Sequence, residues 1–246
     1  MWKVMAMFCM ALWLCLQAAV PVIAEEGEKT LHRGLVEPSE VIEVSSQVPG
    51  IIKRVTAKRG DRVEKGQVLA RLRAGVENAR VELAKARLEF ARRKVERNRE
   101  LYEKQLISVH EKDEMKTEVR IMELELKEAR EKFDLRTIRS PVTGVVVERY
   151  LGPGEYIGEG AVMKIARIDP LNVELVVPAE LYGTIDRGMT AQIMPQEPLE
   201  GKYQGRVVIV DEVIDAASGT FGIRVKLPNP GHRLPAGVNC RVRFSD

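Results

Sequence analysis

The side chains best suited to catalysis or metal binding are few in this chain and widely spaced. Its histidines are His32, His110 and His232, and nothing around them resembles a catalytic triad, a phosphate-cradling loop or a cluster of metal ligands. The glycine-rich stretches follow a strand-turn pattern and not the strand-to-helix pattern of a nucleotide loop. We therefore predict that the protein is not an enzyme and that it holds no cofactor and no metal ion.

Lys164 is the one side chain whose neighbours suggest covalent chemistry. It lies in the tetrapeptide VMKI, Val162 to Ile165, which looks like a site of biotin attachment. Whether such a lysine is modified depends on the element that carries it, and a repeat in the surrounding sequence predicts that element.

Two segments of the chain repeat each other without a gap. They are SQVPGIIKRVTAKRGDRVEKG, residues 46–66, and SPVTGVVVERYLGPGEYIGEG, residues 140–160. Glycines at fixed intervals are typical of turns with positive φ, and the β-branched runs between them predict short strands. Neither copy can bury its apolar face alone, so we predict that the two form one small sandwich. The matching glycines are Gly50 with Gly144, Gly60 with Gly154, and Gly66 with Gly160.

Each copy resembles one half of a biotinyl/lipoyl domain. The G-D-x-V-x-x-G turn of that family is intact in the first copy, and the second copy has Glu155 in place of the aspartate. Carrier domains hold the modified lysine in a hairpin between the halves, whereas Lys164 closes the second half. We therefore expect Lys164 to be an unmodified, outward-facing residue on a strand.

The segment between the copies, residues 73–137, is predicted to form two helices. Its apolar residues alternate at spacings of three and four, which is typical of helices packed as a coiled coil. Ser108 followed by Glu111 predicts a capping box at the start of the second helix, so the segment would fold back as an antiparallel hairpin. The apolar residues are Val76, Ala79, Leu83, Ala86 and Phe90, then Ala84, Leu88, Ala91, Val95 and Tyr102, and in the second arm Met115, Val119, Met122, Leu126, Ala129 and Phe133.

Residues 169–246 contain short alternating runs separated by turn residues, which predict a small antiparallel β-barrel. Cys240 lies in one of these runs and is predicted to be a buried, inert thiol. Residues 41–72 and 138–168, which contain the two copies of the repeat, are predicted to form a split barrel-sandwich hybrid. The predicted fold class is therefore mainly β with a long α-helical hairpin.

The N-terminal residues 1–24 resemble a secretory signal peptide. Lys3 precedes an apolar run, and small residues before Glu25 fit cleavage after Ala24; the alternative is an uncleaved membrane anchor. Residues 25–40 are predicted to be a polar tail. We therefore expect the protein in the periplasm, associated with the inner membrane through partners. A net charge of +3 is too balanced to indicate nucleic-acid binding.

The order of sandwich, helical hairpin and barrel resembles the periplasmic adaptor subunits, or HlyD-like membrane fusion proteins, of Gram-negative tripartite efflux pumps. This resemblance implies an inner-membrane transporter as partner, with the resistance-nodulation-division (RND) type favoured, an outer-membrane channel of the TolC type, and self-association as a hexamer. Adaptors that dock on the channel carry Arg, then Leu four residues on, then Ser seven after that. Arg97, Leu101 and Ser108 match this pattern at the predicted hairpin tip.

One departure from the family pattern is expected. The family's membrane-proximal domain is built from both chain ends, and here the N-terminal stretch is short and the chain stops at Asp246, so we expect this domain to be absent. Two other functions stay open at this point. The first is a biotin- or lipoyl-type carrier domain of an enzyme complex, and the second is a general periplasmic coiled-coil scaffold.

Overall fold

The computed structural model describes residues 31–245, so the predicted signal peptide and the start of the predicted tail lie outside the described residues. The described chain is mainly β with two long helices, as predicted. Its elements are β1 (His32–Ser45), β2 (Gly50–Val55), β3 (Arg62–Val63), β4 (Val68–Leu72), α1 (Gly75–Glu103), α2 (Val109–Asp134), β5 (Thr137–Arg139), β6 (Gly144–Arg149), β7 (Tyr156–Ile157), β8 (Ala161–Pro178), β9 (Thr190–Pro195), β10 (Tyr203–Val210), β11 (Thr220–Leu227) and β12 (Val238–Ser245).

The sandwich consists of two four-stranded layers that correspond strand for strand. One layer has the order β5-β4-β2-β7, and the other is β1-β8-β6-β3 within the larger sheet. The pairing is reciprocal between the copies, because Gly50 pairs with Ile157 across β2–β7 while Gly144 pairs with Val63 across β6–β3. The repeat in the sequence is therefore a quasi-twofold relation in space, with each copy supplying a strand to the layer of the other.

The turns of the two copies are held by the same hydrogen bonds. Asp61 Oδ2 accepts from the backbone N–H of Lys58 at 2.7 Å, and Glu155 Oε2 accepts from the backbone N–H of Gly152 at 3.0 Å. The aspartate-to-glutamate change therefore keeps the contact. Gly60 and Gly154 both have a φ near +90° in these turns, at +90° and +91°.

The six matching glycines of the repeat are not all required for the same structural reason. Gly66, like Gly60 and Gly154, has a positive φ of +86°. Gly144 and Gly50 begin strands, where an added Cβ would lie 2.4 Å from the carbonyl oxygen of Ala166 and 2.8 Å from Nη1 of Arg136, respectively. Close approach of backbone, and not the predicted positive φ, is the constraint at Gly144, whereas the atom near Gly50 is the end of a flexible side chain. Gly160 has open space around it and no positive φ.

The barrel is closed by six strands in the order β1-β12-β9-β10-β11-β8, with β8 pairing back onto β1. Its core is a continuous cluster of buried aliphatic side chains that includes Val36, Leu171, Val173, Ile193 and Val225. Cys240 is also buried there, and burial raises the pKa of its thiol to about 11. A thiol with so high a pKa is almost entirely protonated and unreactive at neutral pH.

Strands β1 and β8 run through both the sandwich and the barrel. They pair from Val44 with Met163 at the sandwich end to Gly34 with Leu175 at the barrel end. Residues 32–40 therefore form the barrel part of β1. The prediction of a polar tail is wrong for these residues. The reason is that only one side of this strand is buried, at Val36, while its polar residues face outward.

Helices α1 and α2 pack against each other antiparallel. Three ion pairs join the helices: Arg87 with Glu125, Arg92 with Glu123, and Lys94 with Glu118. The residue numbers rise along α1 as they fall along α2, as expected for antiparallel helices. The buried seam between them contains Ala84, Leu88 and Leu126, with Val81, Val119, Met122 and Ala129 packed around it. Packing of this seam, more than intrinsic helix propensity, stabilises the pair.

The helices are attached to the sandwich by a largely buried ion pair. Arg136 Nη2 donates to Glu77 Oε1 at 2.7 Å, and their side chains are 22% and 14% exposed. Arg136 Nη1 also donates to the carbonyl oxygen of Pro49 at 2.9 Å. One guanidinium therefore links the first turn of α1 to the strand that starts at Gly50.

Candidate functional site: the helical tip and the outer face of α1

The tip of the helical pair is a short, well-defined turn. Helix α1 ends at Glu103, and Gln105 adopts a positive φ of +56° before α2 begins. The backbone N–H of Leu106 donates to the carbonyl oxygen of Leu101 at 2.8 Å, which closes the turn. The chain therefore reverses direction within a few residues.

Ser108 is the N-cap of α2, in a capping box with Glu111. The Ser108 hydroxyl accepts from the backbone N–H of Glu111 at 3.1 Å, and Glu111 Oε2 accepts from the backbone N–H of Ser108 at 2.7 Å. This second bond is the main reason that the pKa of Glu111 lies below its ordinary value. The hydroxyl also contacts Glu111 Oε2 at 3.0 Å, so its proton is used and one lone pair is left for a partner's donor.

Arg97 and Leu101 lie one helical turn apart on α1 and are both exposed. Arg97 has no carboxylate within salt-bridge distance in the described part of the chain, whereas its neighbour Arg99 is paired with Glu96 and Glu103. The guanidinium of Arg97 is therefore available to a partner. Arg97 and Leu101 share one end of the helical pair with Ser108.

Sequence reasoning missed the apolar character of the tip. Leu106 and Val109 flank Ser108 and are 67% and 63% exposed. Behind them, a cleft of about 310 Å³ between the helix ends is lined by Tyr102, Ile107 and Met115, among others. An exposed apolar tip of this kind typically marks a protein contact.

The outer face of α1 carries an apolar stripe that the structure leaves exposed. Val76, Leu83 and Phe90 recur every seven residues and are 63%, 53% and 56% exposed, and Ala79 and Ala86 lie between them and are exposed as well. The heptad spacing predicts packing for this set, but only the other set, through Leu88, packs on α2. The reason is that one neighbouring helix covers one face only.

Arg97 continues the same stripe. It lies seven residues after Phe90, and a heptad step returns to nearly the same face of a helix. The outer face of α1 therefore leads from the sandwich to the tip as one surface, which begins apolar and ends with an unpaired guanidinium. We call the residues Val76, Ala79, Leu83, Ala86, Phe90 and Arg97 the outer stripe.

Residues 31–245 contain no group of three His, Cys, Asp or Glu side chains placed to hold a metal ion. Neither α1 nor α2, the two long helices of this part, combines the length and the apolarity needed to cross a membrane. Lys164 lies within β8, half-buried, with Glu43 and Glu148 as its register partners on the neighbouring strands.

Two domain families match the chain in the order that the fold shows. The CzcB-like, barrel-sandwich hybrid domain matches residues 40–167, and the CusB-like, beta-barrel domain matches residues 171–246. The chain belongs to the membrane fusion protein family. The helices α1 and α2 lie within the first matched range, between the two halves of the sandwich.

Curated proteins named for efflux or multidrug resistance are similar to most of this chain. The multidrug/solvent efflux pump periplasmic linker protein MepA of Pseudomonas putida is 26% identical over 227 residues, which are 86% of this chain and 59% of MepA. The multidrug resistance protein MdtE of Escherichia coli K12 is 25% identical and is matched over 89% of this chain and 67% of its own. This chain thus spans about 60% of the length of the first relatives it matches.

The fold is also that of solved membrane fusion proteins. A chimera of MacA and MexA, which contains the α-hairpin domain of Pseudomonas aeruginosa MexA, superposes with a TM-score of 0.73 at 18% identity. The match covers 88% of this chain and 78% of the chimera. At this identity the similarity establishes the fold alone.

Proposed function

We propose that this protein is a periplasmic adaptor of a tripartite efflux pump, which links an inner-membrane transporter of the RND type to an outer-membrane channel of the TolC type. In this proposal α1 and α2 form an antiparallel coiled-coil hairpin whose tip docks on the channel through Arg97, Leu101 and Ser108. The observation that carries the proposal is the outer stripe, an unpartnered surface that ends in an unpaired arginine at a capped, apolar tip.

The geometry of the hairpin fits the role of a spacer. Helix α1 has 29 residues, which corresponds to about 43 Å at a rise of 1.5 Å per residue. The buried seam and the ion pair of Arg136 with Glu77 hold this length at one angle to the sandwich. A rigid arm can therefore present its tip far from the β domains.

Self-association is part of the proposal. A single hairpin cannot enclose a conduit, so several copies must stand side by side, and we propose a hexamer in the assembled pump. The outer stripe supports this because heptad-spaced apolar residues on a helix are typical of packing against another helix. The names of the relatives MepA and MdtE, a periplasmic linker and a multidrug resistance protein, support the location and the export role.

The experiment that tests the proposal is cross-linking from the tip in intact cells. Leu106→Cys places a thiol at an exposed position of the turn, and the adduct is identified by mass spectrometry. We expect an outer-membrane channel protein. Adducts only with an unrelated periplasmic protein would show a general scaffold instead and would overturn the adaptor role.

The charge reversal Arg97→Asp tests the docking residue itself. It adds repulsion and removes hydrogen bonds at the docking contact, so the Leu106→Cys adduct and export should both be lost. Exposed helix substitutions change stability by at most about 0.5 kcal/mol, and the melting temperature should stay close to that of the unchanged protein. Arg130→Asp, an exposed reversal on α2 away from the tip, is the matched control. Retained export in Arg97→Asp would contradict the assigned docking site.

A further inference from the structure

The turn between β10 and β11 is an exposed acidic projection with an apolar centre. Residues 211–215 read DEVID, and the whole segment from Asp211 to Gly219 is exposed. Val213 is 80% exposed and Ile214 is 40% exposed. No lysine, arginine or histidine of the described chain lies within salt-bridge distance of the three carboxylates, so this acidic charge has no cation partner in residues 31–245.

The acidic turn is anchored by hydrogen bonds on the C-terminal side of Val213 and Ile214. Asp215 Oδ1 accepts from the backbone N–H of Ala217 at 2.9 Å, and Asp215 Oδ2 accepts from the Ser218 hydroxyl at 3.0 Å. The backbone N–H of Asp215 also donates to the carbonyl oxygen of Thr220 at 2.9 Å. This anchored half reduces the conformational entropy that the turn loses on binding, which favours its use as a contact.

A basic groove lies on the outer surface where the barrel meets the sandwich. It has a volume of about 430 Å³ and an apolar wall formed by Val208 and Ile209, of which Ile209 is 40% exposed. The cations that line it are Arg167, Arg187, Arg224 and Lys226.

Only part of the positive charge in the groove is compensated. Arg224 is paired with Glu174, and Arg167 has Glu40 at 3.9 Å. Arg187 and Lys226 have no carboxylate within salt-bridge distance among residues 31–245. The groove therefore offers two free cations beside an exposed apolar wall, which matches a segment that carries two carboxylates beside an apolar side chain.

We propose that the acidic turn of one copy inserts into the basic groove of a second copy of this chain. The free carboxylates of Asp211 and Glu212 would meet Arg187 and Lys226, and Val213 would cover Ile209. The proposal rests on the self-association proposed above and assigns it a contact between barrels. This contact is separate from any contact made by the outer stripe, because it joins β domains and is stabilised by opposite charges.

A second copy is the occupant that the observations favour. The groove needs an acidic segment with an exposed apolar residue, and the chain itself presents such a segment on every copy. Within one copy the turn leaves the groove unfilled, because none of its carboxylates lies within salt-bridge distance of Arg187 or Lys226 among the described residues. A contact between two different patches joins copies in succession and closes into a ring when the rotation between them allows it.

Cross-linking between two differently tagged copies tests this contact. One copy carries Val213→Cys in the acidic turn, and the other carries the nearly isosteric Ser39→Cys, which lies in the groove. A copy with Lys202→Cys, on the exposed β9–β10 turn, replaces the first as control. Cys240 is buried, and protein without an introduced cysteine controls for the native thiols.

Charge exchange then identifies the cause of the adduct. Asp211→Lys with Glu212→Lys in the turn, or Arg187→Glu with Lys226→Glu in the groove, should each lower the yield of adduct by about tenfold or more through like-charge repulsion. Combining the reversed turn with the reversed groove should restore the yield. The proposal would be overturned if reversing the charge of the turn alone, or of the groove alone, left the yield of adduct unchanged. It would also be overturned if Lys202→Cys gave adducts in equal yield.

Failure of this contact can be told apart from failure of the adaptor role. If Val213→Cys forms adducts only with another protein, such as an inner-membrane transporter, the turn has a different partner and the proposal is wrong. If the barrel cysteines give no adduct between copies while Leu106→Cys still captures an outer-membrane channel, the adaptor role stands without this contact. If both experiments fail, both proposals fall.

Discussion

Gly144 illustrates how one position in the repeat is constrained by its neighbour across the sheet. It begins β6 next to β8, and the backbone there comes so close that an added Cβ would lie 2.4 Å from the carbonyl oxygen of Ala166. A backbone oxygen cannot move aside as a flexible side chain can. Gly160, in the same copy of the repeat, has nothing within 4 Å of an added Cβ.

At this scale we predict opposite effects for two alanine substitutions. Gly144→Ala should lower the free energy of unfolding by about 1–3 kcal/mol, because the strands must separate to admit the methyl group. Gly160→Ala should leave it unchanged or raise it by up to about 1 kcal/mol, because alanine restricts the unfolded chain. Urea denaturation measures both. Equal destabilisation by the two substitutions would show that the close contact does not determine stability.

Helix α1 has two apolar faces with different uses. The inner face, with Ala84 and Leu88, is buried against α2 and stabilises the hairpin. The outer stripe, with Leu83 and Phe90, is exposed and contributes little to the stability of the isolated chain. One face of α1 therefore packs against α2, and the opposite face is available to a partner.

We predict that substitutions on the two faces separate stability from assembly. Leu88→Ala should cost about 2 kcal/mol or more in unfolding free energy, because it leaves a cavity in the seam. Phe90→Ala should change stability by at most about 0.5 kcal/mol and still reduce export and cross-linking between copies. Circular dichroism during denaturation, together with an export assay in cells, measures the two effects. Normal export with Phe90→Ala would mean that the outer stripe has no partner.

At the scale of the whole molecule, β1 and β8 join the sandwich to the barrel as two continuous strands. Each has residues in both cores, as shown by Val36 and Val44 in β1 and by Met163 and Val173 in β8. Lys164 lies within this shared strand, between residues buried in the sandwich core. That position differs from the hairpin turn on which a carrier domain presents its lysine.

The intact mass of the protein isolated from a periplasmic extract tests two whole-chain predictions. We expect a chain that begins at Glu25, with no added biotin or lipoyl group on Lys164. A mass that includes Met1, found in the membrane fraction, would show a retained anchor in place of cleavage after Ala24. An added biotin or lipoyl mass would support the carrier function instead.

The sequence by itself determined those features that depend on local pattern. The repeat predicted the paired halves of the sandwich because the same turn residues, such as Asp61 and Glu155, make the same backbone bonds. The serine and glutamate at Ser108 and Glu111 predicted the capping box, because an N-cap uses residues that are close in the chain.

The tertiary structure alone decided which surfaces are covered. Leu83 and Leu88 have the same residue type and lie in equally regular heptads, yet one is exposed and the other is buried, since only the position of α2 distinguishes them. Residues 32–40 look like a polar tail until β8 and β12 pair with them. The acidic turn and the basic groove are likewise separate runs of charge in the sequence, and the groove exists only because the barrel brings Arg187 beside Lys226.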